Sequence, residues 1–213
     1  MSTQKATFTW DGGTVSGAWH HPAHGSAYLV LAHGAGGTVH TPSLKLYAEG
    51  LAEHGLGAVR FNFPYAEAGK RGPDRAPVLE ACWRAVADQV RARAKTLLLG
   101  GRSLGGRMAS NIVADGYKAE GLVFLAYPLH PPGKPERIRD EHLYNIKVPM
   151  LFLQGTKDPF ATPELLEATV AKLPTATVHK IHGGDHSHKV SGRSTEDVID
   201  ELVALTMDWL ETV

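Results

Sequence analysis

The feature that most constrains the fold is a strand, a tight turn and a serine in residues 97–106, which read Leu-Leu-Leu-Gly-Gly-Arg-Ser-Leu-Gly-Gly. Ser103 has one glycine two residues before it and another two residues after it, the Gly-x-Ser-x-Gly spacing of a nucleophile elbow. So tight a turn strains the serine backbone, and side chains in place of Gly101 and Gly105 would collide. A serine in a Gly-rich turn is usually only part of the turn, but the apolar strand before it and the helix predicted over 105–117 favour a nucleophile. The helix N-terminus would also favour negative charge developing beside the hydroxyl.

The strands and helices predicted along the chain alternate, as they do in proteins with a parallel sheet covered by helices. An Asp11-Gly12-Gly13 turn between residues 7–10 and 15–20 predicts an antiparallel hairpin at the start. We therefore predict an α/β fold, a three-layer αβα sandwich with a mostly parallel sheet of about seven to eight strands. Further strands are predicted at 27–32, 57–63, 97–99, 121–127, 148–153 and 177–181, and helices at 43–54, 78–94, 105–117, 163–173 and 198–210. Only about twenty residues separate the strands at 121–127 and 148–153, too few for a large lid.

Length and charge exclude several classes of function. The 213 residues suit a single domain over 1–213, and the 22 basic residues balance the 22 acidic ones, so nothing favours nucleic acid or an anionic membrane as a partner. The sequence contains no apolar run of membrane-spanning length and no signal-peptide core, which predicts a cytoplasmic protein. The one cysteine, Cys82, lies on the apolar face of a predicted helix and is expected to be buried.

A glycine-rich turn, His33-Gly34-Ala35-Gly36-Gly37, follows the strand at 27–32. It lacks both the Lys-Ser/Thr of a P-loop and the spacing of a dinucleotide-binding turn. Beside a nucleophilic Ser103, we expect it to supply half of an oxyanion hole, with the N–H of Ala35 joining that of Leu104. His33 comes before the serine in the chain and is predicted to hold the turn rather than to act as the base.

Asp158 follows the strand at 148–153 and should reach the same sheet edge as Ser103. An aspartate before a proline is ordinarily a turn residue or a helix cap. Its position after the serine and before the last histidines instead predicts the acid of a Ser-Asp-His triad.

Three histidines after the last strand could be the general base: His182, His186 and His188. We predict His186, because the two glycines before it give the chain freedom to bring its ring back over the sheet edge. Asp185 is an alternative acid, although a side chain rarely faces the ring of its own neighbour.

These three histidines and Asp185 also resemble a metal-ligand set, but a serine elbow has no role in a metal-water mechanism. The sequence therefore predicts no metal and no cofactor.

Three other residues are candidates for substrate binding: Tyr65, Arg107 and His130. Tyr65 would lie at the rim of a pocket or would simply be a packed aromatic. Arg107 lies four residues after Ser103, on the same helix face, and would contact an acidic substrate or, as the simpler interpretation, pair with Asp140 or Glu141. Separately, His20, His21 and His24 are expected in a solvated loop rather than at a metal.

Five longer phrases resemble known hydrolases: residues 33–37, 100–110, 127–135, 154–160 and 183–187. The sequence is similar to the alpha/beta-hydrolase fold over nearly its whole length, and in detail it resembles a small lidless branch, the KANL3/Tex30-like hydrolases, distantly similar to dienelactone hydrolases. The resemblance implies Ser103, Asp158 and His186 as the triad, and it implies no particular substrate. Ser103 stands where dienelactone hydrolases use cysteine, and His188 stands where we expect an aromatic residue.

These observations predict a serine hydrolase of carboxylic esters or thioesters with small to medium acyl groups. The same triad could serve C–C bond hydrolysis or perhydrolysis. A different class, a non-catalytic interaction module that keeps the hydrolase fold, stays open as the alternative. The oligomeric state is not predicted.

Overall fold

The computed structural model describes residues 2–213, which form an eight-stranded sheet with helices on both faces. The strands are β1 (Ser2–Trp10), β2 (Gly13–His21), β3 (Ala27–Ala32), β4 (Gly57–Phe61), β5 (Thr96–Arg102), β6 (Gly121–Leu125), β7 (Met150–Gly155) and β8 (Ala176–Ile181). The helices are α1 (Pro42–Glu53), α2 (Pro64–Glu67), α3 (Ala76–Arg91), α4 (Leu104–Ala114), α5 (Pro163–Val170) and α6 (Thr195–Leu210), with a 3₁₀ helix at Glu141–Asn145.

The strands lie in the order β1-β2-β4-β3-β5-β6-β7-β8. Strands β3 to β8 are parallel, while β1 and β2 form an antiparallel hairpin that joins the sheet through β4. This topology confirms the predicted fold class, including the number of strands and the lack of a large lid. It brings the carboxyl ends of β3, β5, β6 and β7 to one edge, where loops of a parallel sheet carry functional groups.

Burial on both faces explains why the central strands are apolar throughout. In β5, Leu97 and Leu99 pack into a core beneath α3 and α4, while Leu98 faces the opposite core beneath α1 and α6. Successive side chains of a strand point to opposite faces, so a strand covered on both sides has no polar position. Cys82 lies in the first of these cores and is fully buried, as predicted.

The first hairpin is longer than the sequence predicted and overturns the expected solvated loop around His20. Residues 20 and 21 belong to β2, paired with Thr3 and Ser2 of β1. The His20 ring is buried and accepts a hydrogen bond from Arg60 Nε at 3.0 Å. The strand continues because the β1 pairing extends to its end, an arrangement that local turn residues do not predict.

Helices α3, α4 and α5 each end three residues earlier than predicted, and α4 and α5 do so for a local reason. Helix α4 ends at Ala114 because Gly116 takes a left-handed conformation with φ of 87°, which stops the helix. Helix α5 ends at Val170 rather than at Leu173, because Pro174 disfavours helical backbone in the residue before it. Among residues 2–213, none of the helices is both long and apolar enough to cross a bilayer.

Candidate active site

Ser103 lies between β5 and α4 in the strained backbone conformation that the glycine spacing predicted, with φ of 50° and ψ of −114°. A Cβ built on Gly101 would lie 2.3 Å from the Ala32 carbonyl oxygen, and one on Gly105 would lie 2.1 Å from the same atom. Real Cβ atoms do not approach backbone so closely, so both positions require glycine. The Ser103 N–H donates to the Leu125 carbonyl of β6 at 3.0 Å, which ties the turn to the sheet. The serine is therefore held rigidly at the carboxyl end of β5.

The structure brings Ser103, His186 and Asp158 together, although they come from three separate loops. His186 Nε2 lies 2.9 Å from Ser103 Oγ, and His186 Nδ1 lies 2.7 Å from Asp158 Oδ2. A carboxylate can only accept from a neutral ring, so the proton lies on Nδ1 and Nε2 is left to accept the serine proton. This chain of hydrogen bonds can activate the hydroxyl as a nucleophile.

The Asp158 carboxylate is buried and held by two further donors. Gln154 Nε2 donates to Oδ2 at 2.6 Å, and the Phe160 N–H donates to Oδ1 at 2.8 Å. Gln154 in turn accepts from the Tyr127 N–H at 2.8 Å, so its amide orientation is fixed. Gln154 and Phe160 were not among the residues predicted for the site; the available signal was Gln154 itself, a polar residue near the end of the otherwise apolar strand β7.

The loop that carries His186 is closed by its own side chains. Asp185 Oδ1 accepts from the N–H groups of Ser187 and Lys189 at 2.7 and 2.9 Å, which makes Asp185 a turn residue and not the acid beside the imidazole. Arg102, also missed from the sequence, donates to the His186 carbonyl at 3.0 Å and to Ser187 Oγ at 2.7 Å. The Phe160 ring lies against the His186 ring, with centroids 4.4 Å apart.

The other two histidines of this region lie elsewhere. His188 is buried and donates from Nε2 to the Leu153 carbonyl at 2.9 Å, and burial lowers its pKa to about 4. His182 is exposed near α5 and β8. Within residues 2–213, no three His, Cys, Asp or Glu side chains converge in a way that could hold a metal ion.

The glycine-rich turn after β3 is fixed from behind. His33 donates from Nδ1 to the Gly34 carbonyl at 2.8 Å and accepts the Phe63 N–H on Nε2 at 3.1 Å, while burial lowers its pKa. His33 thus holds the turn, as predicted. The Gly34 carbonyl also accepts the Gly37 N–H at 2.9 Å. The Gly34 carbonyl and the Ala35 N–H belong to one trans peptide and point in opposite directions. The Ala35 N–H therefore points away from His33 and Gly37, which bond the Gly34 carbonyl.

A cavity of about 650 Å³ lies over these groups. Its wall includes Ser103, His186, the glycine-rich turn with Ala35, and Leu104 at the start of α4. Neither the Ala35 N–H nor the Leu104 N–H donates to another residue within 2–213. Both are therefore open to an oxygen atom bound next to Ser103.

Two of the three predicted substrate-binding residues line this cavity. His130 is in the wall, with its Nδ1–H donated to the Pro131 carbonyl at 2.9 Å, and Arg107 is in the wall as well. Tyr65 is not at the rim as predicted: it is buried behind the glycine-rich turn and is the packed aromatic of the alternative interpretation. The sequence did not predict the position of Tyr65 because helix α2, which carries it, has only four residues, too few for a periodic apolar pattern.

The simpler interpretation of Arg107 is also wrong. No carboxylate within residues 2–213 lies within 4.0 Å of its guanidinium, so it makes no ion pair with Asp140 or Glu141. Its Nη1 donates instead to the Arg139 carbonyl at 2.9 Å. Asp140 is occupied by the Tyr144 hydroxyl at 2.5 Å.

The family of this chain follows from its similarity to known proteins. A family model described as an alpha/beta hydrolase domain matches residues 25–211. The chain belongs to the alpha/beta hydrolases. The glycine elbow, the parallel sheet and the lidless cavity are thus those of an alpha/beta hydrolase, while the narrower KANL3/Tex30-like branch stays a prediction.

Solved alpha/beta hydrolases have the same fold at low sequence identity. A serine hydrolase homologue from Coxiella burnetii is 20% identical with a TM-score of 0.79, covering 99% of this chain and 98% of its own. A serine hydrolase without a lid from Xanthomonas campestris is 21% identical with a TM-score of 0.76, covering 98% and 95%. A dienelactone hydrolase from Anabaena variabilis is 17% identical with a TM-score of 0.77, covering 99% and 97%. At these identities the likeness concerns the fold alone.

Proposed function

We propose that this alpha/beta hydrolase is a serine hydrolase that cleaves carboxylic esters or thioesters of small to medium acyl groups, with residues 1–213 acting as one domain. The observation that carries the proposal is the continuous hydrogen-bond chain from Ser103 through His186 to Asp158, with contacts of 2.9 and 2.7 Å, at the wall of one cavity. An interaction module would need neither this order of donors and acceptors nor the strained serine backbone.

In the first half of the reaction, His186 Nε2 accepts the Ser103 proton while Oγ attacks the acyl carbon. The Asp158 carboxylate keeps the other ring proton on Nδ1 and stabilises the charged imidazolium. The substrate carbonyl oxygen becomes an oxyanion, which accepts the N–H groups of Leu104 and Ala35; each is worth about 3 kcal/mol of barrier in comparable enzymes. The leaving alcohol or thiol then takes the proton from His186.

The second half repeats the same steps with water. His186 removes a proton from water, whose oxygen attacks the acyl-enzyme carbon, and the second oxyanion occupies the same two N–H groups. The carboxylic acid is released and Ser103 regains its proton. The lidless cavity leaves the acyl group partly open to solvent, which supports small or medium substrates.

The proposal is tested with 4-nitrophenyl acetate and butyrate and with an acetyl and a butyryl thioester, all uncharged in their acyl part. We expect turnover by the wild type and a loss of at least about 10³-fold in kcat for Ser103→Ala. If the folded wild type hydrolyses none of the four faster than Ser103→Ala, the ester and thioester proposal is wrong. A Ser103 that also resists an uncharged fluorophosphonate would then favour the interaction module over another reaction of the triad.

A further inference from the structure

The charged side chains around the cavity are all of one sign. Three arginines, Arg102, Arg107 and Arg139, belong to its wall, and the wall contains no aspartate or glutamate. The chain as a whole carries no net charge, so this excess of positive charge is local. Proline, leucine and phenylalanine side chains make up much of the remaining wall, among them Pro131, Leu44 and Phe160.

Arg102 already has partners for its charge. It donates to the His186 carbonyl and to Ser187 Oγ, and the carboxylates of Asp185 and Asp158 lie close enough to favour its charged form. Its guanidinium braces the loop that carries His186. Arg102 therefore has a structural role without any ligand.

Within residues 2–213, Arg107 and Arg139 take part in no ion pair. Arg107 is half-buried one turn after Ser103 on α4, and its Nη1 donates to the Arg139 carbonyl at 2.9 Å. Burial and the charge of Arg139 both lower the pKa of Arg107, and the groups that favour its charge are the Tyr127 hydroxyl and Glu80. Glu80, Asp115 and Glu141 line a second cleft, which Arg107 and Arg139 also border. Glu80 already accepts a hydrogen bond from Asn111, and Asp115 pairs with Arg84 at 2.5 Å. For residues 2–213, neither arginine has a carboxylate within 4.0 Å.

A half-buried guanidinium next to a second one costs free energy unless an anion approaches them. We propose that Arg107 and Arg139 bind a carboxylate of the substrate, so that the preferred substrate is an ester or thioester with a carboxylate in its acyl chain and an apolar segment between the two groups. The inference rests on the proposed function, because Ser103 defines where the acyl carbon lies. A planar carboxylate fits the fork of a guanidinium with two parallel hydrogen bonds.

The position of Arg107 fixes the arrangement of the substrate. The Arg107 N–H donates to the Ser103 carbonyl at 3.0 Å, which places the two residues one helical turn apart, so a carboxylate at Arg107 lies a few bonds from an acyl carbon at Ser103. A glutaryl group has this character: three methylenes separate its reacting carbonyl from its carboxylate. The methylenes would lie against the apolar part of the wall.

Binding to Ser103→Ala protein, which needs no turnover, tests the inference. The probes are glutaric acid mono-anilide and the neutral analogue in which a carboxamide replaces its carboxylate, measured by isothermal titration calorimetry. The carboxamide cannot form charge-assisted hydrogen bonds with the arginines, so we expect the acid to bind about tenfold tighter or more, with the preference falling at high salt.

Arginine variants in the same Ser103→Ala background locate the effect. Arg107→Gln and Arg139→Gln should each reduce the preference for the acid, whereas Arg107→Lys should retain part of it. Arg139 is exposed, so its variant is expected to fold. The matched control is Arg137→Gln, since Arg137 lies in the same loop, outside the cavity wall, beside Glu136 at 3.8 Å. It should keep the full preference.

Equal binding of the acid and the carboxamide overturns the inference. The inference is also overturned if Arg107→Gln and Arg139→Gln prefer the acid as strongly as Arg137→Gln does. Labelling of wild-type Ser103 with an uncharged fluorophosphonate separates this result from the proposed function. Labelling with equal binding supports the hydrolase and rejects the carboxylate site. Arginine-dependent binding of the acid without labelling of Ser103 supports the carboxylate site and rejects the hydrolase.

Discussion

The hydroxyl of Tyr65 donates a hydrogen bond to the carbonyl oxygen of Ala35 at 2.9 Å, and the Gly34 carbonyl lies 3.3 Å from the same hydroxyl. Together with His33 and the Gly37 N–H, Tyr65 holds both peptide planes that flank Ala35. Burial raises the pKa of Tyr65 to about 12, so the hydroxyl keeps its proton at physiological pH. The glycine-rich turn is therefore fixed before any substrate binds, which is the condition for an effective oxyanion hole.

Tyr65→Phe removes this hydrogen bond and leaves the ring in place. We expect kcat for a neutral ester to fall about tenfold with little change in KM, because the N–H of Ala35 becomes less well aligned with the oxyanion. The loss of stability should be about 1 kcal/mol. Tyr28→Phe is the control, since its hydroxyl bonds His21 at 3.0 Å, away from the cavity wall. An equal fall in kcat for both variants would contradict this role of Tyr65.

Asp158→Asn tests the orientation of His186. The amide can no longer accept the Nδ1 proton as a carboxylate does, so the ring is driven into the wrong tautomer and kcat should fall about 10³- to 10⁴-fold. Circular dichroism should show an unchanged fold, because the side chain keeps its size. Activity within tenfold of the wild type would show that Asp158 is only the cap and turn residue that its place before Pro159 first suggests.

Gly105→Ala tests the packing of the elbow through stability alone, without any measurement of catalysis. Its new Cβ would lie 2.1 Å from the Ala32 carbonyl oxygen, and backbone on both sides must move. We expect a loss of more than about 3 kcal/mol in the free energy of unfolding, measured with urea. Gly72→Ala meets nothing within 4 Å and should change stability by less than about 0.5 kcal/mol.

Stability should decrease in acid. Burial lowers the pKa of both His20 and His188 to about 4, whereas the unfolded chain binds these protons near pH 6.5. Their neutral rings therefore contribute full stability above pH 6.5, and that contribution is lost as the pH falls towards 4, by up to about 3 kcal/mol for each ring.

His188→Phe should flatten this pH dependence in urea unfolding between pH 7.5 and 4.5. The Leu153 carbonyl keeps a second donor, the Ala126 N–H at 3.0 Å, so the variant remains folded at neutral pH. His182→Ala removes an exposed ring and should leave the slope unchanged. Identical slopes for all three proteins would show that the burial of His188 has no effect on acid stability.

The sequence predicted those features that depend on local sterics and chain order. The glycines around Ser103, the apolar strands and the order of Ser103, Asp158 and His186 each carry a local signal, and the structure brings those three residues together. Their catalytic roles remain proposals. Two features that the sequence did not predict depend on contacts between distant segments: the place of His20 in the paired strand β2, and the position of Tyr65 behind the turn. The donors on Asp158 from Gln154 and Phe160 are close in the chain, but they depend on the conformation of the loop after β7, which has no periodic pattern.

The most direct test of the central claim is labelling with an uncharged fluorophosphonate probe, followed by mass spectrometry of the modified peptide. It should be applied to the wild type and to the Ser103→Ala, His186→Ala and His182→Ala variants. We predict modification of Ser103 in the wild type and His182→Ala, none in Ser103→Ala, and labelling at least about 10³-fold slower in His186→Ala. Folded wild type that resists the probe, or His186→Ala that reacts as fast as His182→Ala, would contradict the account.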